Sequence, residues 1–320
     1  MMNGNNAPMS QTLLDRPSLR FAQTPNGLVV EAEGQFWPLT LPENIFQLTR
    51  AELFKTLLEA TAGTPLEEEP ELQNFLDPTQ TPILGAGVTF SNSHRERRME
   101  ALRAGSMEEI TDDGRPTPYD VVYDPANPPE VFFKAIRTGH LAAPNELWIR
   151  PDGGEDGAIG NSVPEPERVL IVNKHGEIIA ETLGSDTTAR QLESLSPLYL
   201  PAAKTYPGCT TLCPWLTVFS PELPQPEIII RMEIHRDGET MYGDEYGSSQ
   251  MKRTPESLVR HARTLAAEAD GTFEAGFALF TGTGIIPPIQ FALEPGDIVT
   301  ISSPQLGRLE ATTKVVQFGF

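Results

Sequence analysis

Basic residues are scarce. The 320-residue chain has 24 lysines and arginines against 44 aspartates and glutamates, a formal net charge of −20. Nucleic acids and anionic membrane surfaces need a basic patch, and no basic cluster offers one, so we expect neither as a partner. Cysteine is almost absent: Cys209 and Cys213 are the only two. Three residues separate them, no second Cys or His pair completes a tetrahedral site, and we read them as buried thiols in a reducing compartment. No apolar run approaches the ~20 residues of a membrane span. The N-terminal stretch has no basic region followed by an apolar one, so we expect no signal peptide and a soluble, cytoplasmic protein. Internal repeats and phosphate-binding glycine loops of the dinucleotide or Walker type are missing too.

Short strands separated by turns dominate what remains. Residues 83–90, 131–136, 147–150, 168–172, 178–183, 227–235, 298–302 and 309–316 read as strands, and Asp237-Gly238 is a strong hairpin turn. Helices are fewer. Thr49 and Glu52 form a capping box ahead of an apolar stripe at Leu53, Phe54, Leu57 and Leu58. Residues 94–104 are rich in Arg and Glu, and Thr254-Pro255 starts a third helix. The expected fold class is mixed α+β and β-rich, a sandwich or roll. Residues 1–80 read as a small N-terminal α/β module ending in a Pro-, Glu- and Thr-rich linker at 61–81, and residues 81–320 as the domain that carries chemistry.

The chemistry concentrates between Val163 and Lys204. Glu165 and Glu167 lie two apart, on one face of an extended strand. A turn at Asn173-Lys174-His175-Gly176 then leads into a second strand, making an antiparallel hairpin. If Asn173 faces Ile178, Glu167 faces Gly184 and Glu165 faces Asp186, so three carboxylates meet at one end. Ionised carboxylates ~4 Å apart repel by roughly 4 kcal/mol per pair at an effective dielectric of ~20. A divalent cation would resolve that repulsion, and oxygen-only ligands favour Mg²⁺, with Mn²⁺ or Ca²⁺ as substitutes. The spacing alone equally suits three solvent-facing charges on an ordinary hairpin.

The runs SVPEPE from Ser162, GEIIxxTLGSDxxxR from Gly176 and SPLYLPxAKxY from Ser196 resemble the fumarylacetoacetate hydrolase family, on the side of its 2-keto-3-deoxy-D-arabinonate (sugar acid) dehydratase branch. ILGAGVTF from Ile83, PPEVFFKA from Pro128, SQMKR from Ser249, TGTGIIP from Thr281 and PGDIV from Pro295 are similar to further family segments, in family order. The resemblance implies the family's β-sandwich roll and a homodimer or larger homo-oligomer. It also implies Glu165, Glu167 and Asp186 as Mg²⁺ ligands, with Lys204 lining the active site. Arg190 matches the arginine four positions after the aspartate, and Thr283 lies in the loop expected to meet the carboxylate of a small-molecule 2-keto acid.

Residue chemistry adds roles. Lys204 is the expected proton-transfer group, with a pKa moved down beside a cation and away from water. Arg190 is expected to brace a carboxylate of ligand or substrate through its planar fork. Lys134, in an apolar strand, is costly unless paired, which suits a substrate-binding residue that meets the substrate carboxylate and equally an edge-strand lysine. Hydrolases of the family carry a GxNYxxH pattern; aligning Gly87 and Phe90 with it puts the histidine position on Ser93, with His94 one residue late and Thr89 in place of Asn. Ser185 also replaces an Asn before Asp186, and an acidic, glycine-rich insertion at 152–161 reads as a lid or loop. The expected activity is therefore Mg²⁺-dependent dehydration of a 2-keto-3-deoxy sugar acid of the pentonate type, by proton loss at carbon 3 beside a metal-bound keto group. Hydrolysis of an acylpyruvate or fumarylpyruvate is the alternative, and a catalytically silent metal-binding member the third reading.

Overall fold

The computed structural model describes residues 16–103, 116–151 and 161–318. The insertion at 152–161, apart from Asn161, lies outside the described residues. In chain order the strands are β1 (Ser18–Thr24), β2 (Gly27–Ala32), β3 (Gln35–Leu39), β4 (Ile83–Gly87), β5 (Glu130–Ala135), β6 (Glu146–Ile149), β7 (Ser162–Val163), β8 (Pro166–Val172), β9 (Ile178–Asp186), β10 (Thr188–Ala189), β11 (Thr210–Leu212), β12 (Leu216–Phe219), β13 (Ile229–Arg236), β14 (Glu239–Gly247), β15 (Phe277–Phe280), β16 (Ile298–Ser303) and β17 (Gly307–Val315). The α-helices are α1 (Arg50–Ala60), α2 (Ser91–Arg103), α3 (Pro118–Tyr123), α4 (Arg190–Leu195), α5 (Leu200–Lys204) and α6 (Pro255–Ala266).

Ten strands form one sheet, in the order β3-β2-β1-β12-β9-β8-β15-β4-β5 with β11 also on β9. A second sheet runs β14-β13-β16-β17-β6, and β7 with β10 makes a two-stranded ladder. Leu183, Ile230, Met232, Val299, Ile301 and Leu309 fill one core cluster, joining β9 to the second sheet. Phe21, Leu53, Leu57, Val169, Ile171 and Phe280 fill another, which takes in α1. This is why the second half of β8, Val169 to Val172, reads as an apolar run: the strand is buried throughout its length. The expected β-rich α+β class is the observed one. Among the described residues no helix is long and apolar enough to cross a membrane.

Local signals place the expected elements. Thr49 and Glu52 cap α1 reciprocally, and Thr254 caps α6. Asp237 and Gly238 both take positive φ in the β13–β14 turn, as a tight hairpin requires. The N-terminal segment extends the large sheet. β1 pairs with β12, and α1 packs into the core shared with β8, β9 and β15. Residues 61–81 are likewise held along the body: the Leu66 amide donates to the Phe36 carbonyl, and Asn74 Nδ2 to the Ala142 carbonyl. Turn and cap signals are local, so they define the hairpin and the helix without saying which distant strand completes them.

The β8–β9 hairpin carries the expected register where it matters. Glu167 faces Gly184, and the Glu165 and Asp186 backbones exchange hydrogen bonds of 3.3 and 2.9 Å. Nearer the turn the expectation slips by one. Val172, and not Asn173, faces Ile178, and a bulge between Ile171 and Val172 absorbs the difference. Asn173 is drawn into the turn, where its Oδ1 accepts from the His175 and Glu177 amides. Gly184 is required opposite Glu167, since a Cβ there would lie 2.6 Å from the Phe280 ring.

Candidate active site

At the end of the hairpin the three carboxylates are buried together. Ligand oxygens of Glu165, Glu167 and Asp186 lie within 4.8 Å of one another. Basic groups reach two of them. Lys204, at the end of α5, donates to Glu165 Oε2 at 2.8 Å and to Thr188 Oγ1 at 2.6 Å, and its Nζ stands 3.1 Å from Asp186 Oδ2. Thr188 in turn donates to Glu165 Oε1 at 3.0 Å. Lys134 Nζ lies 2.6 Å from Asp186 Oδ1 and donates to the Lys204 carbonyl, also at 2.6 Å.

Glu167 has no such cation among the described residues. One of its oxygens accepts the Gly282 amide at 2.6 Å, and the carboxylates of Glu165 and Asp186 lie close by. Burial first, then the charges of Asp186 and Glu165, push its carboxyl well above the ordinary range. Burial alone would also lift Glu165, yet the charges of Lys204 and Arg97 draw it down to about 2. This all-oxygen donor set, with one buried carboxylate left without a counter-charge, fits a hard divalent cation held by Glu165, Glu167 and Asp186.

Burial would lower the Lys204 pKa, but Asp186, Glu165 and Glu193 face the ammonium and raise it. Arg190 has partners of its own. Its Nε pairs with Glu100 Oε1 at 3.0 Å, and its two terminal nitrogens donate to the Pro288 and Pro287 carbonyls. The carboxylate it braces is therefore neither a ligand nor a substrate group. Lys134 sits on β5, the last strand of the sheet, yet is fully buried with its charge committed to Asp186 and not to a free cavity. Thr283 does line the cavity, while its hydroxyl donates to the Ile285 carbonyl at 3.1 Å.

A narrow cavity of about 20 Å³ opens onto the carboxylates between the loop after β4, helix α2 and the loop 281–286. Val88 takes a φ of 54° there, an uncommon conformation for a β-branched residue. Ser93, the position aligned with the family histidine, lines this cavity. His94 turns away: its Nε2 lies 2.7 Å from Asp120 Oδ1 and its ring stacks on Tyr123 at 4.5 Å. A wider surface cleft beside Arg260 and Arg263 lies at the opposite, turn end of the hairpin, away from the three carboxylates.

Three groups in the cavity and one behind it were passed over by sequence reading. Arg97 and Glu193 line it, and Glu100 pairs with Arg97 behind its wall. Glu130 enters from β5, where burial, its largest influence, raises its carboxyl. Gly85 and Gly87 on β4 make room for the β5 residues opposite them. A Cβ on Gly85 would lie 2.6 Å from the Phe132 ring, and one on Gly87 would lie 2.0 Å from Glu130 Oε2. The G-x-G spacing in an apolar strand is a usable signal for those two. Helix α2 gives none, because it is charged on every face.

Fold and site together define a β-rich protein with a buried carboxylate group able to hold a metal ion. The fumarylacetoacetate (FAA) hydrolase C-terminal family matches residues 175–314. Probable 2-keto-3-deoxyxylonate dehydratase of Haloferax volcanii is 35% identical over 236 residues, 73% of this chain and 72% of its own. 2-Dehydro-3-deoxy-D-arabinonate dehydratase of Saccharolobus solfataricus is 30% identical over 240 residues, 75% and 73% of the two chains. The structure of 2-keto-3-deoxy-D-arabinonate dehydratase complexed with magnesium and 2,5-dioxopentanoate has the same fold: TM-score 0.70, 23% identity, 94% of this chain and all of that one covered. The chain belongs to the fumarylacetoacetate hydrolase family.

Proposed function

We propose that the protein is a Mg²⁺-dependent dehydratase of a 2-keto-3-deoxy sugar acid of the pentonate type. The observation that carries this reading is the pairing of the buried Glu165, Glu167 and Asp186 group with Lys204, in a cavity where Ser93 occupies the place of a hydrolase histidine. The two curated relatives are dehydratases of such acids by name, which supports the same reading. Bound at the three carboxylates, the cation supplies charge that acidifies the carbon next to the keto group.

Around it the side chains divide the proton work. Glu130, its carboxyl raised by burial toward a useful basicity, takes a proton from carbon 3. The Lys204 ammonium gives a proton to the hydroxyl leaving carbon 4, so that water departs and a double bond forms between carbons 3 and 4. Proton transfer from Glu130 to Lys204 resets both groups. Moving a proton from carbon 5 to carbon 3 then gives the enol of a 5-aldehyde. The product is the starting acid less one water. His94, held by Asp120 and Tyr123, is not available to activate water for carbon-carbon cleavage.

Mass spectrometry of 2-keto-3-deoxypentonate incubated with the purified protein tests this. Loss of one water with Mg²⁺, absent with EDTA, is the expected result, and Lys204→Ala and Glu130→Gln each should cost about 10²–10⁴ in rate. An unchanged substrate alongside cleavage of an acylpyruvate would replace dehydration with hydrolysis.

A further inference from the structure

Arg97 faces three carboxylates at once. Its Nη2 lies 3.3 Å from Glu165 Oε1, while its Nη1 contacts Glu193 and stands 3.5 Å from Glu100 Oε2. Only Glu165 belongs to the metal-binding group. Both oxygens of Glu165 are occupied: Oε1 by Arg97 and Thr188, Oε2 by Lys204. A divalent cation arriving at Glu165 meets two positive charges already there, and like charges this close in a buried site repel strongly.

One of them must give way. Lys204 is bound to two ligand carboxylates and a threonine, and Glu193 is 4.0 Å off. Arg97 already touches two carboxylates outside the ligand group. Glu193 and Glu100 are both buried, and Glu100 is fixed from the far side by Arg190. They form a prepared seat for a guanidinium.

We propose that Arg97 is a resident counter-ion of Glu165, displaced by the incoming cation onto Glu193 and Glu100, so that these two residues set the metal affinity without touching the metal. This rests on the cation reading above. Arg97 is then a positioning residue, and its motion moves α2, the helix whose Ser93 also lines the cavity. Metal binding and the shape of the substrate cavity become linked events, with the metal binding first.

Calorimetric titration of the full chain with Mg²⁺ alone tests the exchange through a double-mutant cycle. Arg97→Gln should bind Mg²⁺ about tenfold more tightly, because nothing need be displaced. Glu193→Gln should bind about tenfold more weakly, because Arg97 then stays on Glu165. In the double variant the Glu193→Gln effect should shrink to about twofold or less. An equal loss from Glu193→Gln in both backgrounds, or weaker binding by Arg97→Gln, overturns the proposal and leaves the metal site standing. Absence of Mg²⁺ binding by the unmodified chain removes both readings. Hydrogen exchange on the unmodified protein needs no variant: Mg²⁺ should change the protection of residues 91–103, and unaltered protection there also overturns the exchange.

Discussion

Lys134 is fully buried, yet its ammonium has no route to water and depends on Asp186 and two carbonyls for its charge. Removing one partner of such a pair costs up to about 3–5 kcal/mol, and Asp186 would be left with Lys204 alone. Lys134→Met should lower the urea stability of the metal-free protein by that order, and Mg²⁺ should recover part of the loss by supplying the missing positive charge. Equal destabilisation with and without Mg²⁺ would show that Lys134 does not serve Asp186. Gly87→Ala probes a different link. The new Cβ would strike only the flexible end of Glu130, so the melting temperature should hardly move while kcat falls by about 10²-fold. The three carboxylates are legible in the sequence because strand alternation and hairpin register fix where they point. Arg97 and its partners Glu100 and Glu193 are not: they lie among many similar charges, and only tertiary packing decides which of those lose water.

Helices α2 and α3 are joined by a polar clasp. Asp120 caps α3 through Thr117, and it also meets His94 and Arg98 from α2. Burial would raise the Asp120 carboxyl, but the Thr117 hydrogen bonds, His94 and Arg98 outweigh it and hold the pKa below the usual value. A lowered folded-state pKa contributes stability above the unfolded value, near ~3.9 for Asp, and that contribution disappears as pH falls through the folded value. The clasp is partly open to solvent, so the effect is modest. Melting temperatures measured from pH 6 down to pH 3 should fall less steeply for Asp120→Asn than for the unmodified chain, and identical slopes would mean the clasp is not what titrates. His94 shows how narrow the sequence margin is at this scale. One helical position rotates a side chain by ~100°, which separates Ser93 in the cavity from His94 on Asp120.

Across the whole molecule, the turn and cap signals of residues 16–80 are legible while their destination is not. β1 completes the sheet on β12, and Phe21, Leu53 and Leu57 share a core with Val169 and Phe280. A chain beginning at residue 81 should therefore lose cooperative unfolding and precipitate, because it bares the β12 edge and an apolar face. The full chain should unfold in one transition by both fluorescence and circular dichroism. A soluble, cooperatively folding 81–320 fragment would restore the boundary near residue 80.

The opposite margin of that sheet is β5, which among the described residues pairs with β4 alone and yet carries both Glu130 and Lys134. The proposed base thus rests on an edge strand held by a single ladder, while the proposed cation ligands rest along β8 and β9 in the interior. The two halves of the site differ in lifetime: local opening should expose the amides of β5 to solvent exchange long before those of β8, letting product leave without disturbing the metal.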